Sequence, residues 1–272
     1  MTMLLPAFTS APEPGRVYHT DLFTLCDAMP SASVDMVLMD LPYGTTACSW
    51  DTVIPFEPMW ARLKRVIKPR GAIVLTASQP FTSALVMSNV KWLREELVWV
   101  KQHPKGFLDA RRKHMDAHET VLVFSDGLTT YNPQGLIPLR VQNGRANKAG
   151  NGVYGKVGNQ LYIQEVGNFP RSVLYFDAIT FGNLHPTQKP VALFEYLIRT
   201  YTREGELVFD GVVGSGTTAV AARNCKRNFI CGDKELDYVL TARDRLRMPF
   251  EARQKPVIND VSDLPLFASA TS

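Results

Sequence analysis

At 272 residues, 45% of them hydrophobic, the chain is long enough to bury a substantial core, and we expect one large domain. Its 30 lysines and arginines outnumber its 26 aspartates and glutamates, and the resulting net charge of +4 permits a polyanionic partner without requiring one. No apolar run reaches the roughly 20 residues of a membrane span, so we expect no membrane segment. The four cysteines lack the spacing of metal ligands or of a disulfide framework, which favours a cytoplasmic protein without structural metal or disulfides.

In chain order, short apolar runs alternate with segments of helical period. The predicted strands are Val34–Met39, Ala72–Ala77, Glu95–Lys101, Glu119–Ser125, Leu207–Phe209 and Asn228–Cys231. The predicted helices are Pro58–Ile67 (stopped by Lys68–Gly71), a segment from Phe81 onward, Pro190–Thr202, Thr217–Cys225 and Leu236–Leu246. This alternation predicts an α/β fold with a doubly wound, mostly parallel sheet, in which ligands bind beyond the carboxyl ends of the strands.

The alternation breaks between about residues 105 and 180. Gln142–Gln160 within this region is polar and rich in glycine and asparagine, and so long a stretch inside a compact domain is usually functional or disordered. We therefore divide the chain into a flexible N-terminus (1–16), two halves of a main domain (17–104 and 181–248), a separate region between them (105–180) and a flexible C-terminal tail (249–272).

A glycine-rich loop follows the predicted strand Leu207–Phe209. Gly214-Ser-Gly216 form a tight turn before the helix that begins at Thr217, and glycine lets the backbone and the helix N–H groups approach a ligand closely. The next strand leads to Asp233, a usual position for an acid that holds ribose hydroxyls. The pattern favours a nucleoside cofactor over a plain strand-to-helix turn. The loop lacks the Gly-Lys-Ser/Thr ending of a phosphate-binding loop, which argues against ATP.

The tetrapeptide Asp40-Leu-Pro-Tyr43 carries groups suited to an exocyclic amino nitrogen of a base, whose delocalised lone pair makes it a poor nucleophile. The carboxylate of Asp40 and the backbone carbonyl of Leu41 can accept its two N–H bonds and turn the lone pair toward an electrophilic methyl group. Pro42 fixes φ in the turn, and Tyr43 can stack on the base. The alternative is that Asp40 caps a strand end and Tyr43 belongs to the core.

The two motifs and their order resemble the S-adenosylmethionine-dependent DNA amino-methyltransferases of the permuted beta group, and among them a phage-type enzyme without a partner nuclease. In that group an Asp-Pro-Pro-Tyr motif precedes the target-recognition region, and an Asp-Pro-Phe-x-Gly-Ser-Gly-Thr-Thr loop follows it. The resemblance covers about residues 17–247 and includes His185-Pro-Thr-Gln-Lys-Pro190 and Gly106-Phe-Leu-Asp-Ala110. It implies a circularly permuted Rossmann-like sheet, residues 105–180 as the target-recognition region, a homodimer, and double-stranded DNA as the substrate.

The resemblance also implies which residues hold the S-adenosylmethionine cofactor. Thr187 and Lys189 would contact its methionine carboxylate end, and the alternative for Lys189 is a solvated residue at a helix start. Asp21 would lie near its adenine, or would serve only as a helix N-cap. The remaining implied cofactor-binding residues are Asp40, Asp210, Gly214, Gly216, Thr217 and Asp233.

The sequence departs from the family pattern at four positions. Leu41 replaces the first proline of the tetrapeptide, but the chemistry needs only its carbonyl. Gly211 and Val212 replace proline and phenylalanine, which removes an aromatic ring beside the cofactor, and Asp233 replaces the commoner glutamate. None of these changes removes a reacting group. Cytosine-N4 enzymes of the family usually have serine at the position of Asp40, so this residue favours adenine N6.

Basic residues within residues 105–180 are candidates for DNA contacts. They would neutralise phosphates or read guanine edges, and the alternative is that they are ordinary solvated side chains. They are Arg111, Arg112, Lys113, Arg140, Arg145, Lys148 and Lys156. A target base inside a duplex must be flipped out, and the sequence does not identify the side chain that fills the gap.

We therefore predict a site-specific adenine-N6 DNA methyltransferase. The nearest alternative is a cytosine-N4 DNA methyltransferase, which solves the same problem of an unreactive amino nitrogen. A protein-glutamine methyltransferase would use Asn-Pro-Pro-Tyr, and Asp40 argues against it. An alternative from a different class is a catalytically weak, DNA-binding regulator on the same fold.

Overall fold

Continuous apolar segments form the strands of the main sheet. In the central strand Val34–Asp40, the side chains of Val34 and Met36–Met39 are fully buried, as expected for a parallel strand covered on both faces. The computed structural model describes residues 8–46, 48, 51–146, 161–177 and 188–248, without the side chains of residues 140–146 and 161–163.

The elements alternate along the chain much as the hydrophobic pattern predicts. The strands are β1 (Arg16–His19), β2 (Val34–Asp40), β3 (Ile67–Ala77), β4 (Leu93–Lys105), β5 (Asp116–Phe124), β6 (Ile137–Ala146), β7 (Leu161–Gly167), β8 (Val173–Tyr175), β9 (Leu207–Asp210) and β10 (Asn228–Asp233). The helices are α1 (Leu22–Ala28), α2 (Phe56–Val66), α3 (Phe81–Ser88), α4 (Val191–Tyr201), α5 (Thr217–Asn224) and α6 (Leu236–Arg247). Within the described part of the chain, these helices are too short or too polar to cross a membrane.

Eight strands form one sheet in the order β1-β10-β9-β2-β3-β5-β4-β8. Neighbouring strands are parallel except at β5, which is antiparallel to both β3 and β4. The predicted doubly wound, mostly parallel sheet is therefore confirmed. Strand β2 lies between β3 and β9, so the strand that ends in Asp40 is adjacent to the strand that leads into the glycine loop.

Helices cover both faces of this sheet. Because side chains alternate along a strand, Met36 and Leu38 of β2 pack in one core with residues of α4, α5 and α6, whereas Val37 and Met39 pack in another. The second core contains residues of α1, α2 and α3, such as Leu25. The sheet is thus buried on both sides, and its carboxyl-terminal edge remains open for a ligand.

The segment Lys68–Gly71 follows the end of α2, as predicted, but it is itself part of a strand. Helix α2 ends at Val66, and these residues belong to β3, which begins before the predicted Ala72. Val34 pairs with Ile67 and Met36 pairs with Ala72, so the extra residues bulge out of the ladder. A bulge accommodates both a proline, which has no N–H, and the positive φ of Arg70 (68°). The Lys68 ammonium lies 2.8 Å from the carboxylate of Asp35.

The chain divides into two compact units. The larger unit contains the described residues up to Asn132 and from Ser172 onward, and the smaller unit spans Pro133–Arg171. In the smaller unit β6 and β7 form an antiparallel pair. The predicted region 105–180 is wider than this unit, because β5 and β8 belong to the main sheet. Its role in target recognition stays a prediction, and residues 1–7 and 249–272 of the predicted flexible termini lie outside the described residues.

Gly216 provides a test of how closely the glycine loop packs on α6. Its φ is +92°, and an added Cβ would lie 2.7 Å from the Cβ of Ala242 and 2.9 Å from its Cα. We expect Gly216→Ala to lower the free energy of unfolding by about 3 kcal/mol or more, because backbone strain and a steric clash add together. Urea unfolding at equilibrium measures this change.

Gly205→Ala is the matched control for Gly216→Ala. Gly205 has a similar φ of +80°, but a Cβ added there would have no other atom within 4 Å. Only backbone strain remains, so we expect a loss of about 1 kcal/mol. Equal losses for the two variants would show that Gly216 does not need its close approach to α6.

Candidate active site

A cavity of about 700 Å³ lies at the carboxyl-terminal edge of the main sheet. Three aspartates at strand ends line it, namely Asp40 of β2, Asp210 of β9 and Asp233 of β10. The inner side of β4 and β5 forms another wall. The structure thus brings the predicted reaction motif and the predicted cofactor loop to one cavity, although they are far apart in sequence.

Three donors hold the carboxylate of Asp40. Its Oδ1 accepts hydrogen bonds from the Tyr43 hydroxyl at 2.8 Å and from the Thr76 hydroxyl, and its Oδ2 lies 2.7 Å from Nζ of Lys189. A carboxylate has about four acceptor positions, so one remains for a further donor. Asp40 is therefore fixed in orientation and still able to accept one N–H bond from a ligand.

Lys189 belongs to a chain of buried charges. Its ammonium lies 3.3 Å from Oε2 of Glu119, an ion-pair distance without hydrogen-bond alignment, and the other carboxylate oxygen of Glu119 accepts from Lys101. The side chains of these three residues are at most 8% exposed. The order Asp40–Lys189–Glu119–Lys101 alternates negative and positive charges, so each buried ion has an opposite neighbour.

The alternation of charges shifts the pKa values of Lys189 and Glu119 toward their ionised forms. Burial alone would lower the pKa of Lys189, but the carboxylates of Asp40 and Glu119 outweigh burial and raise it. Burial alone would raise the pKa of Glu119, but Lys189 and Lys101 outweigh it and lower the pKa. Burial lowers the pKa of Lys101, the terminal member with one carboxylate partner. The predicted contact of Lys189 with a cofactor carboxylate stays a prediction, and Thr187 lies outside the described residues.

Tyr43 is held by its hydroxyl and by its ring. The hydroxyl also lies 3.1 Å from the Thr76 hydroxyl oxygen, and burial raises the pKa of Tyr43 well above its usual value. The ring stacks on Phe81, with 5.2 Å between centroids, and the Lys189 ammonium lies over it at 5.5 Å. A base that stacks on the ring face under the ammonium would require the side chain of Lys189 to move.

Asp51 orders the loop that follows the tetrapeptide. Its carboxylate accepts hydrogen bonds at 2.7–2.9 Å from the backbone N–H groups of Gly44, Thr45 and Thr46. Burial would raise the pKa of Asp51, but these hydrogen bonds outweigh it and lower the pKa. Leu41 and Pro42 line the same part of the cavity. Asp51 closes a short loop as a positioning residue, a role that the sequence analysis missed.

The glycine loop is tied to the strands on each side of it. Asp210 accepts from the Val212 N–H at 2.9 Å and from the Thr218 hydroxyl at 2.5 Å. Burial raises the pKa of Asp210 to about 7. The hydroxyl of Thr217 donates to the carbonyl of Lys189 at 3.3 Å, which joins the loop to the Asp40 side of the cavity.

Gly211 occupies a space in which a side chain would clash. A Cβ at this position would lie 2.1 Å from Cδ1 of Leu22. Leu22 thus fills the volume beside the loop, and Val212 packs against the same core. The departure from Pro-Phe is therefore accommodated by packing from α1.

Two acids at the end of β10 and just beyond it, Asp233 and Glu235, line the cavity. The oxygens of Asp233 accept from the N–H groups of Gly214 and Glu235, each at 2.9 Å, and burial raises the pKa of Asp233. Each of these oxygens keeps a lone pair for a ligand hydroxyl. Glu235 also lines the cavity and is exposed. It is a second candidate for hydroxyl binding that the sequence analysis did not name.

Asp21 has both of the properties considered from the sequence. It caps α1, with its Oδ1 accepting from the N–H groups of Phe23 and Thr24 at 2.9 and 3.1 Å, and it lines the cavity. Burial would raise the pKa of Asp21, but the hydrogen bonds from Thr24 and Phe23 outweigh it and lower the pKa. The N-cap role and the position beside a ligand are compatible.

The predicted DNA-contacting residues fall into two groups. Arg111, Arg112 and Lys113 lie in the connection between β4 and β5, and their side chains are exposed. The others lie on β6 without a described side chain or outside the described residues, namely Arg140, Arg145, Lys148 and Lys156.

Comparison with known proteins identifies relatives along most of the chain. The family model for DNA methylases of the N6 and N4 type matches residues 34–244. The type II methyltransferase M2.DpnII of Streptococcus pneumoniae is 29% identical over 257 residues, which cover 84% of this chain and 88% of that protein. The type II methyltransferase M.HpaI of Haemophilus parainfluenzae is 27% identical over 261 residues, covering 85% and 76% respectively.

Solved structures share the fold. M1.HpyAVI, determined as a complex with SAM, superimposes with a TM-score of 0.59 at 24% identity over 86% of this chain and 99% of that one. PvuII DNA methyltransferase, described as cytosine-N4-specific, superimposes with a TM-score of 0.64 at 16% identity, over 90% of this chain and 92% of that one. At these identities the likeness shows a Rossmann-like methyltransferase fold.

Glu119 tests the buried chain of charges. We expect Glu119→Gln to lower the free energy of unfolding by about 3 kcal/mol at neutral pH, because the buried Lys101 then loses its carboxylate partner and Lys189 keeps only Asp40. The folded-state pKa of Glu119 is lowered, so this difference from wild type should shrink as the pH falls through that pKa. Urea unfolding at neutral and acidic pH measures both effects.

Glu96→Gln is the matched control, since Glu96 is exposed on the neighbouring strand β4. Its effect should stay within about 0.5 kcal/mol at every pH. If Glu119→Gln changes the free energy of unfolding as little as Glu96→Gln does, the buried ion pairs of Glu119 do not stabilise the fold.

Asp210 tests the cost of a buried carboxylate at the glycine loop. The unfolded-state pKa is about 3.9 and the folded one is about 7, so ionisation disfavours the folded state as the pH rises between these values. The protonated carboxyl of Asp210 therefore contributes its full stabilisation below the unfolded-state pKa, and this contribution is lost as the pH rises through about 7. Relative to wild type, Asp210→Asn should therefore gain stability with rising pH, by at most about 4 kcal/mol in total.

The measurement is urea unfolding of wild type and Asp210→Asn between pH 5 and pH 8. Asp126→Asn is the control, because Asp126 is exposed and its replacement should have an effect that varies little with pH. A constant difference between Asp210→Asn and wild type over this range would contradict the raised pKa.

Proposed function

Because the chain belongs to the N6 and N4 family of DNA methylases, with the family model matching residues 34–244, we propose that it methylates the N6 amino group of adenine in double-stranded DNA. S-adenosylmethionine is the methyl donor. The observation that carries the proposal is the carboxylate of Asp40, which is held by three donors at the cavity and keeps an acceptor position for an N–H of the target base.

The residues around the cavity fit the methyl donor. Asp21, Asp210, Asp233 and Glu235 all line it, and carboxylates favour a ligand that carries sulfonium and ammonium charges. Gly214 and Thr217 of the glycine loop line the cavity, whereas the predicted cofactor-binding residue Gly216 packs on Ala242 of α6 and is absent from the lining. The bound cofactor supplies an electrophilic methyl group, and Asp233 with Glu235 would hold its ribose hydroxyls.

The chain prepares the amino group for attack. Asp40 accepts one N–H bond and the carbonyl of Leu41 accepts the other, which turns the nitrogen lone pair toward the methyl group. Thr76 and Lys189 keep the Asp40 carboxylate fixed in orientation. Asp40 need not act as a strong base, since the proton of the methylated amino group can leave to solvent after transfer. Tyr43 lines the same cavity and would contact the flipped base.

The identity of the base rests on Asp40 in the first position of the tetrapeptide. The order of the tetrapeptide before the glycine loop supports membership of the permuted beta group. The second candidate substrate is the N4 amino group of cytosine, because the matching family model covers both amino groups and both reactions need the same acceptors. Exposed Arg111, Arg112 and Lys113 would contact the DNA phosphates.

Nucleoside analysis of DNA methylated by the purified chain tests the proposal. We expect N6-methyladenine as the product and dependence on added S-adenosylmethionine. N4-methylcytosine as the sole product would overturn the choice of base and leave the family assignment intact. If the chain binds DNA but transfers no labelled methyl group to it, the alternative of a catalytically weak, DNA-binding regulator is favoured.

Replacement of Asp40 tests its role directly. We expect Asp40→Ala to lose methyl transfer by a factor of about 100 or more and to retain binding of S-adenosylmethionine in calorimetry, since Asp40 acts on the amino group. Asp126→Ala removes an exposed carboxylate outside the cavity lining and should remain active. Activity of Asp40→Ala close to that of Asp126→Ala would refute the assigned role.

A further inference from the structure

Two adjacent large apolar side chains are unusually exposed on the connection between β4 and β5. Phe107 is 78% exposed and Leu108 is 98% exposed. Water contact with two such side chains is unfavourable, and neighbouring exposed apolar residues commonly mark a surface that binds a partner. The pair is not used by the reaction described above.

The backbone of this connection presents the pair outward. Gly106 has a φ of +88° and starts a short 3-10 turn over Phe107–Asp109. The carbonyl of Asp109 accepts from the N–H groups of Arg112 and Lys113 at 2.8 and 3.0 Å. The turn is therefore built by local hydrogen bonds, and the apolar pair is displayed before any partner binds.

The hairpin that carries the pair also forms the cavity wall. Lys101, His103 and Lys105 of β4 line the cavity at alternate positions, and His118 and Glu119 of β5 line it from the opposite strand. Phe107 follows Lys105 by only two residues. The apolar pair thus extends beyond the rim of the cavity that holds Asp40.

The charges beside the pair indicate what kind of partner covers it. Residues 105–113 contain four basic residues and one acidic residue, which gives this segment a charge of +3. The side chains of Arg111, Arg112 and Lys113 are exposed. An apolar tip surrounded by positive charge suits a polyanion that can open an apolar gap, and a stacked DNA duplex has both properties.

We propose that Phe107 and Leu108 form a wedge that enters the base stack of double-stranded DNA and fills the gap left by the flipped target base. The inference rests on the proposed function and extends it to the step before chemistry. Extrusion of a base sacrifices stacking and pairing energy, and an apolar side chain in the vacated position replaces part of the lost contact. Arg111, Arg112 and Lys113 would hold the adjacent phosphates while the wedge is inserted.

The test compares duplexes in which extrusion is difficult or easy. The methylated site is first located by methylation-aware sequencing of DNA treated with the wild-type chain. Two duplexes are then prepared, one with a normally paired target base and one with an abasic position opposite it. Phe107→Ala/Leu108→Ala is compared with Leu128→Ala, which removes an 86% exposed leucine outside the cavity lining.

We expect the double variant to lose about tenfold or more in kcat/KM on the paired duplex and to recover most of this loss on the duplex with the abasic position, because unpairing is then easier. Leu128→Ala should match wild type on both. With 2-aminopurine at the target position, DNA binding by wild type should raise the fluorescence, and binding by the double variant should raise it much less.

Arg111→Ala/Arg112→Ala separates the wedge from general affinity. We expect it to weaken binding to both duplexes equally and to reduce the dependence of binding on salt. If the wedge variant loses activity equally on both duplexes, or if it behaves like Leu128→Ala, the wedge is refuted while the methyltransferase stands. A wild-type chain that methylates neither duplex would overturn the proposed function and the wedge together.

Discussion

The ion pair between Lys189 and Asp40 determines how the rest of the cavity is arranged. It joins the end of the central strand β2 to the segment before α4. Through Glu119 the same ammonium is connected to β5, and through Lys101 to β4. A buried lysine needs compensation for its lost hydration, and this requirement brings the strand ends together at a defined distance. The carboxylate of Asp40 is therefore positioned by the fold.

The cavity has two electrostatic sides. Carboxylates dominate the side formed by the glycine loop and β10, whereas lysines and histidines occur along β4 and β5. This division suits a cationic methyl donor on one side and a nucleotide of a polyanion on the other. Asp40 lies where the two sides meet, and its pairing with Lys189 balances the negative charge at the position proposed for the target base.

The sequence predicts those parts of the site that depend on local order along the chain. Asp40 and Gly214–Gly216 are recognisable because each follows a buried strand, and the sheet places them together by a general rule of α/β folds. Glu119 was missed because it lies on a predicted strand 70 residues before Lys189, and the sequence does not indicate which side chains meet across the sheet. The proline and glycine of Lys68–Gly71 resemble a turn, but pairing of β3 with β2 overrides that local preference. Asp51 could not be predicted because its carboxylate binds three backbone N–H groups, and backbone groups leave no side-chain motif in the sequence.

The adjacency of β2 and β9 affects the order in which the protein can fold. Met36 pairs with Val208 and Val37 with Phe209, so the strands that carry the two halves of the cavity are about 170 residues apart in the chain. Contacts between such distant segments form only after a large loop has closed, and they slow folding relative to local contacts. During synthesis, β2 would have its β9-facing edge exposed until the last third of the chain emerges. A nascent chain therefore has the tetrapeptide Asp40–Tyr43 long before it has a binding cavity.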